Sequence, residues 1–450
     1  MASQSPPVTA RIAAVVALAG LIAITVVVVG YALLNPGKVL LASICLFLGI
    51  LVAWAAATSH RWHTSLALIA VALLVAALVL ILVADRSLLE IILLVALAAV
   101  TVAAGRFATR WEVLAAKHRR WERVGSAGRS VLLMNPKSGG GKVVQNDLEA
   151  EARKRGIEPI VLGPDDDLLE LARRAVADGV DTIGMAGGDG SQALVASVAA
   201  ENGVAFVCIP AGTRNHLALD LGLDRNDVVG ALDAFDEARE STIDLAVVND
   251  RVFVNNVCLG VYAEIVSSDA YRDAKVQTVT EMLPELMGRD APTFDVQLDE
   301  PGGRTLEGPA MVLVSNNPYR LGHLGGFGTR SRLDTGELGI AALCVNGSAD
   351  VALFVAAEVA GRIDSFPGWD HWSGTTVEVR SGSPVAAGVD GESCTLEPPL
   401  RFEIRPAALR VRIPRHSPGV SPAASRPGVG RSTVVGLGRI ALGRPSGLIR

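Results

Sequence analysis

The chain has 450 residues, half of them apolar yet only 4% aromatic, with a formal net charge of −5. That length admits two or three domains and a sizeable core, and the mild negative charge excludes a general nucleic-acid footprint. The five cysteines, Cys45, Cys208, Cys258, Cys344 and Cys394, show no CxxC or Cys/His metal spacing, which suits a reducing compartment.

Four apolar runs open the chain, over residues 12–33, 39–57, 65–84 and 88–105, separated by NPGK, SHRWH and DRS. Each approaches the ~20 residues of a membrane-spanning helix. One such run is also what a signal peptide or a buried core helix looks like. Four in succession, the first without a small-residue cleavage site, predict four transmembrane helices over 1–105. Arg11, Arg61 and the group Arg106, Arg110, Lys117, Arg119, Arg120 and Arg123 fall on one side, against Lys38 and Arg86 on the other. The positive-inside rule then predicts a multi-pass protein of the cell membrane with both termini and the large remainder cytoplasmic. The basic juxtamembrane linker 106–128, with Trp111 and Trp121 among positive charges, reads equally as an interfacial helix on anionic lipid and as a solvated linker helix.

From residue 130 strand and helix patterns alternate. SVLLMNP, EPIVLG, VDTIGMA and VAFVCIPAG read as strands; KVVQNDLEAEARKRG, DDDLLELARRAVADG and SQALVASVAAENG read as helices. Asp165–Asp167 suit the positive end of their helix, as caps and dipole partners. This βα alternation predicts an α/β domain over 129–241 built on a parallel sheet. Ligands of such sheets bind beyond the carboxyl ends of the strands, where three polar or glycine-rich turns fall: NPKSGGGK, GGDGSQ and PAGTRNH.

None is a standard nucleotide motif. NPKSGGGKV has Pro136 where a P-loop begins with glycine, and Val143 where Ser or Thr follows its lysine. Gly188–Ala193 fits G-x-G-x-x-A but carries Asp189 at its centre. A carboxylate beside a pyrophosphate is repelled unless a cation intervenes. Asp189 therefore reads as a Mg²⁺-facing group or as a proton acceptor for an attacking hydroxyl, both uses belonging to phosphoryl transfer; as a bare helix cap it would have no chemistry.

From residue 242 strand patterns dominate: TIDLAVV and VFVNNVCL around Asn249-Asp250, a hairpin signal, then TFDVQLD, GPAMVLVSNN, LGIAALCV, TTVEVRS, RFEIR and LRVRIP. They predict a β-sandwich-like second domain over 242–413. His323 reads as a loop histidine without chemistry, with contact to substrate as the other reading. Trp369, His371 and Trp372 in FPGWDHWSG read either as a lipid-facing group or as a segment packed inward. Residues 414–450, rich in Pro, Gly, Ser and Arg and without an acidic residue, predict a disordered basic tail.

NPKSGGGK, GGDGSQALV and PAGTRNHLALDLGL, followed by IDLAVVNDRVFVNNVCLG, NNPYRLG and VDGES, resemble in order the landmarks of the diacylglycerol kinase catalytic family. That family includes sphingosine kinases and bacterial lipid kinases and is related to NAD kinases. The resemblance covers about residues 130–414 and leaves the apolar runs aside. It implies an active cleft between two domains and an ATP- and Mg²⁺-dependent lipid kinase acting on a lipid hydroxyl, most simply that of diacylglycerol. It further implies that Asn135, Pro136, Lys137, Ser138 and Gly139, with Gly187, Gly188, Gly190, Ser191, Thr213 and Asn215, hold the nucleotide. Glu392 would be the general base, Asp189 would stand by the γ-phosphate and metal, and Asp244 and Asp334 would be further metal candidates. The implied partners are a lipid substrate and the bilayer, with a homodimer left open and no nucleic acid. Two positions depart from the pattern: His216 stands where Asp is common, and Thr335 replaces the second aspartate of a DDG segment. They keep open a nucleotide-binding pseudokinase; a NAD kinase-like enzyme is the other alternative.

Overall fold

The structure, a computed structural model, describes residues 5–37, 40, 44, 88–260, 295–319, 330–345, 347–359, 363–421, 431–444 and 446. The chain divides into two compact units, Met1–Ala115 with Pro427–Arg450, and Ala116–Arg426.

In the first unit, helix α1 covers Val8–Leu34 and ends before the helix-breaking Pro36, and helix α2 covers Leu88–Arg120. Both hold stretches long and apolar enough to cross a membrane, Val8–Tyr31 and Ile92–Thr109, of which only 17% and 11% are buried. That exposure separates them from the core helices of a water-soluble domain. The expected second and third runs lie outside the described residues, apart from Leu40 and Ile44. The tail expected to be disordered carries helix α9, Arg431–Ala441. Its Leu437 and Ile440 pack on Ala10, Ala14 and Ala17 of α1 and Ala108 of α2, small residues that let three backbones approach. Composition alone misses this helix, because its burial depends on partners some 330–430 residues earlier.

In the second unit a short strand β1 (Glu122–Val124) precedes the α/β region. There, β2 (Ser130–Met134), β3 (Glu158–Val161), β4 (Thr182–Gly187) and β5 (Ala205–Pro210) form a parallel sheet in the order β5-β4-β2-β3. The helix expected over KVVQNDLEAEARKRG is two pieces, α3 (Lys142–Gln145) and α4 (Leu148–Lys154), because Asp147 between them is left-handed at φ 47°. Helix α5 (Leu168–Ala177) is capped by Asp167, whose carboxylate accepts the amides of Leu169 and Glu170. Helix α6 (Asp189–Glu201) follows β4 directly, and the short α7 (His216–Asp220) follows β5.

The boundary expected at 241/242 falls inside a strand. β6 (Ala238–Val248) turns at Asn249-Asp250 into β7 (Arg251–Phe253), as the hairpin signal predicts. β8 (Asn256–Gly260), β11 (Met311–Asn316), β12 (Leu338–Leu343), β13 (Trp369–Gly374), β15 (Val385–Val389) and β16 (Glu392–Leu396) form an antiparallel second sheet. β9 (Gln297–Asp299), β10 (Thr305–Glu307) and β14 (Thr376–Arg380) extend the first sheet instead. The connection is β17 (Leu400–Pro414): its first half pairs β14, its second half runs parallel to β5, and it pairs β6 across a bulge between Arg405 and Leu409. The two regions thus share a strand. Leu259, Val314, Ile340 and Val389 of the second sheet pack with Leu298, Val377, Leu400 and Phe402 of the first, which gives the sandwich its core. Helix α8 (Ser348–Val359) precedes β13. Trp369 is buried and Trp372 packs against the core, so this segment is a strand facing inward rather than a lipid-facing group.

Candidate active site

Three turns leave the carboxyl ends of β2, β4 and β5 and meet backbone to backbone. A Cβ on Gly212 would lie 2.5 Å from Gly188 Cα, so position 212 excludes a side chain. Gly139, at φ 55°, sits against the Ala211 and Gly212 carbonyls, and only glycine takes that conformation there without strain. Lys142 Nζ donates to the Gly212 carbonyl at 3.1 Å, tying the first turn to the third. Asn135 Oδ1 accepts the Lys137 amide at 3.0 Å, and the Asn135 amide donates to Ala186 O of the neighbouring strand. Ser138 and Pro136 are half-buried, while Lys137 and Thr213 are exposed. Asn215 is buried and left-handed, at φ 52°; its side chain accepts from Gly212 N and donates to the Pro210 and Gly212 carbonyls. It shapes the turn rather than offering atoms to a ligand. Gly187 ends β4, Gly188 is the extended N-cap of α6, and Ser191 lies in the first turn of α6. The first amides of α6 have no partner within the helix and form the positive, anion-attracting end of its dipole.

Asp189 is buried at this helix start, 8% exposed. It is not the N-cap of its own helix. Its two carboxylate oxygens accept the amides of His216 and Leu217, at 2.9 and 3.1 Å, and so cap α7 from across the site. The His216 ring is held below its ordinary pKa by burial, against the opposing charges of Asp189 and Asp220, and its Nδ1 has no partner among the described residues.

Glu392 reaches the same turn from the other sheet. Gly190 leaves it room: a Cβ there would lie 2.5 Å from Glu392 Cδ. Glu392 opens β16 after a tight turn, with Asp390 at φ 50° and Gly391 at φ 86°. Asp390 pins that turn by accepting the amides of Val254, Asn255 and Asn256. Burial first, and next among the raising influences the charge of Asp189, push its carboxyl up to about 7 against those donors. Arg251 of β7 pairs with Glu392 at 3.3 Å; both side chains remain partly exposed, 37% and 57%. Asp390 and Arg251 are not among the residues that the sequence singles out. The Asp-Gly pair was the available signal for the turn, whereas nothing local marked Arg251.

The other metal candidates stand apart from this arrangement. Asp244 is saturated: Oδ2 accepts from Asn317 Nδ2 and the Gly336 amide, both at 2.7 Å, and Oδ1 accepts the Ala407 amide at 2.8 Å. It anchors the 333–337 loop, and Thr335 joins through Asn317. Asp334 pairs with Arg332 at 2.9 Å. Among the described residues no three His, Cys, Asp or Glu side chains form a metal-holding group. His323 lies outside the described residues. A surface groove of about 780 Å³, lined by Val247, Asp250, Glu378, Arg401 and Phe402 among others, contains none of the turn residues.

A parallel sheet whose three glycine-rich turns face a carboxylate from a sandwich defines the class: an α/β protein with a second, antiparallel sheet domain. Residues 129–248 match the family model described as diacylglycerol kinase catalytic domain. Over those residues the chain is similar to that family. A diacylglycerol kinase of Mycobacterium tuberculosis is 35% identical over 127 residues, a match that spans 27% of this chain and only 41% of that relative. A probable YegS-like lipid kinase of Cronobacter sakazakii is 25% identical over 308 residues, 65% of this chain and 98% of that relative. A solved structure of a candidate diacylglycerol kinase from Bacillus anthracis str. Sterne superposes with a TM-score of 0.51 over 63% of this chain and 97% of that one; at 20% identity it shows the fold alone.

Proposed function

We propose that this protein is a membrane-anchored lipid kinase that transfers the γ-phosphate of ATP to a lipid hydroxyl, with diacylglycerol as the substrate and phosphatidic acid as the product. The observation that carries the reading is the meeting of Glu392 with the Gly190 turn. A carboxylate at that anion-attracting helix start stands beside the place a phosphate would occupy, where it can take the proton of an attacking hydroxyl.

The glycine cradle of residues 139, 188, 190 and 212 fits the phosphates of ATP, because a Cβ at 139, 190 or 212 would strike the opposing residue. Asp189 is the carboxylate at these turns that a Mg²⁺ carried by the nucleotide would meet; Asp244 and Asp334 are committed elsewhere. In the transfer, a Glu392 carboxylate oxygen takes the hydroxyl proton, the lipid oxygen bonds to the γ-phosphorus, and the bond from that phosphorus to the bridging oxygen breaks to release ADP. The names of the mycobacterial and Cronobacter relatives support a lipid substrate, and the two exposed apolar helices support delivery from a bilayer. The basic flanks support a cytoplasmic kinase unit.

The test is γ-labelled ATP with the full-length protein in vesicles holding diacylglycerol, sphingoid base, polyprenol or glycolipid, resolved by thin-layer chromatography. Labelled phosphatidic acid, lost in Glu392→Gln, is the expected result. ATP binding without transfer to any lipid would overturn the proposal in favour of a pseudokinase.

A further inference from the structure

Three successive glycines follow Ser138 in the first turn, and all three are left-handed: Gly139 at φ 55°, Gly140 at φ 74° and Gly141 at φ 87°. A residue with a Cβ seldom holds one such conformation, so a run of three is open to this chain only through glycine. The run turns the chain back on itself. The next residue, Lys142 at the start of α3, crosses to the third turn, where its Nζ donates to the Gly212 carbonyl from 70 residues earlier in the chain. Asn215 Nδ2 donates to the same carbonyl at 2.9 Å, so both lone pairs of that oxygen are taken. Gly212 stands against Gly188, the N-cap of α6. The half-buried Lys142 is thus tied where the three turns meet.

An ammonium has three N–H groups. Lys142 spends one on Gly212 and has no carboxylate partner among the described residues. The next helix shows the contrast: Arg153, Lys154 and Arg155 of α4 are each paired to Glu149 or Glu151. The carboxylates at the turns are engaged elsewhere, Asp189 by backbone amides and Glu392 by Arg251.

We propose that Lys142 is a phosphate-binding residue of the nucleotide site. Its two remaining N–H groups donate to phosphate oxygens of ATP, and its charge offsets the repulsion between those oxygens and the carboxylates of Asp189 and Glu392. This rests on the reading of the three turns as a nucleotide site. Charge identifies the occupant. A half-buried ammonium without a counter-ion has lost part of its hydration, and a phosphate returns it as charge-assisted hydrogen bonds. The first amides of α6 favour the same kind of ligand. The segment differs from a P-loop in having Val143 after the lysine. The Ser or Thr of a P-loop serves Mg²⁺ through its hydroxyl, and a lysine that acts as a point charge on phosphate does not depend on it.

The experiment titrates Mg²⁺·ATP calorimetrically into the full-length protein in detergent micelles. Wild type is compared with Lys142→Arg, Lys142→Gln and Lys142→Met, and the denaturant midpoint of each is read alongside. Gln keeps an N–H donor for the Gly212 carbonyl and loses the charge, Arg keeps the charge, and Met loses both. Gln and Met are expected to weaken ATP binding alike, by about 10–100-fold, with Arg within a few-fold of wild type. The affinity of the Gln variant should also fall less steeply with added KCl, because the charge that salt screens is gone. Where Met lowers the denaturant midpoint, the Gln variant and its salt dependence decide. Wild-type affinity in Gln with loss only in Met would make Lys142 a tie between turns and overturn the proposal, as would wild-type affinity in both. Either result leaves the nucleotide reading intact. No ATP binding by wild type overturns the nucleotide reading itself.

Discussion

Two carboxylates meet at one turn, and their surroundings separate their roles. Glu392 is partly exposed beside Gly190, with Arg251 at 3.3 Å. Asp189 is buried with both oxygens engaged by backbone amides. Glu392→Gln should lower turnover by about 10²–10⁴-fold with ATP affinity unchanged, read by calorimetric titration beside a steady-state assay. Asp189→Asn turns an NH₂ toward an amide that needs an acceptor. It should cost about 1.5–3 kcal/mol of stability and weaken nucleotide binding; an unchanged denaturant midpoint would place Asp189 outside the α7 cap. Asp390 supplies a pH test. Its folded pKa of about 7 lies above the ordinary aspartate value of about 3.9. Its stabilising share is therefore complete below about pH 4 and is lost as pH rises to 7, by at most about 1.4 kcal/mol per pH unit. The stability of wild type relative to Asp390→Asn should fall between pH 4.5 and 7 and then level off; a rise across that window would mean the backbone donors outweigh burial.

Between elements, backbone contacts decide whether the site exists. Gly212→Ala should push the third turn off Gly188 and abolish binding of a fluorescent ATP analogue, while the sandwich keeps its strand signal in circular dichroism. A second device ties α7 to the sandwich. Arg330 is fully buried and ion-paired to Asp220 at 2.7 Å; it also donates to the Val254 and Asn316 carbonyls and to Asn255. Arg330→Met strands a buried carboxylate and should cost about 3–5 kcal/mol, part of which the added Asp220→Asn should restore in chemical denaturation. Neither residue was a sequence candidate. A buried arginine looks in sequence like any surface arginine, and its burial arises from elements far apart in the chain.

At the scale of the molecule, the C-terminal segment belongs with the N-terminal helices. Removing residues 1–105 alone leaves Leu437 and Ile440 of α9 without their cover. A chain of residues 106–450 should therefore associate in size-exclusion chromatography, whereas residues 116–426 should run as a discrete species without detergent. Equal behaviour would show that the packing of α9 does not matter for solubility.

Much of this was legible in the residues themselves. The βα alternation, the three turns, the Asn249-Asp250 hairpin and the first and fourth apolar runs follow from periodicities of two and 3.6 and from glycines with special backbone demands, all local properties. The family resemblance and the turn that bears Asp189 are readable for the same reason. What only the tertiary structure decided is where each carboxylate spends its hydrogen bonds. Asp189 caps a helix that begins 27 residues later, Asp244 is spent on a loop 92 residues on, and Asp390 holds the turn that presents Glu392. The shared strand β17 and the helix in the basic tail are of the same kind. Pairing and burial between distant segments leave no local trace in composition, because the energy that selects them comes from surfaces that exist only after the chain has folded.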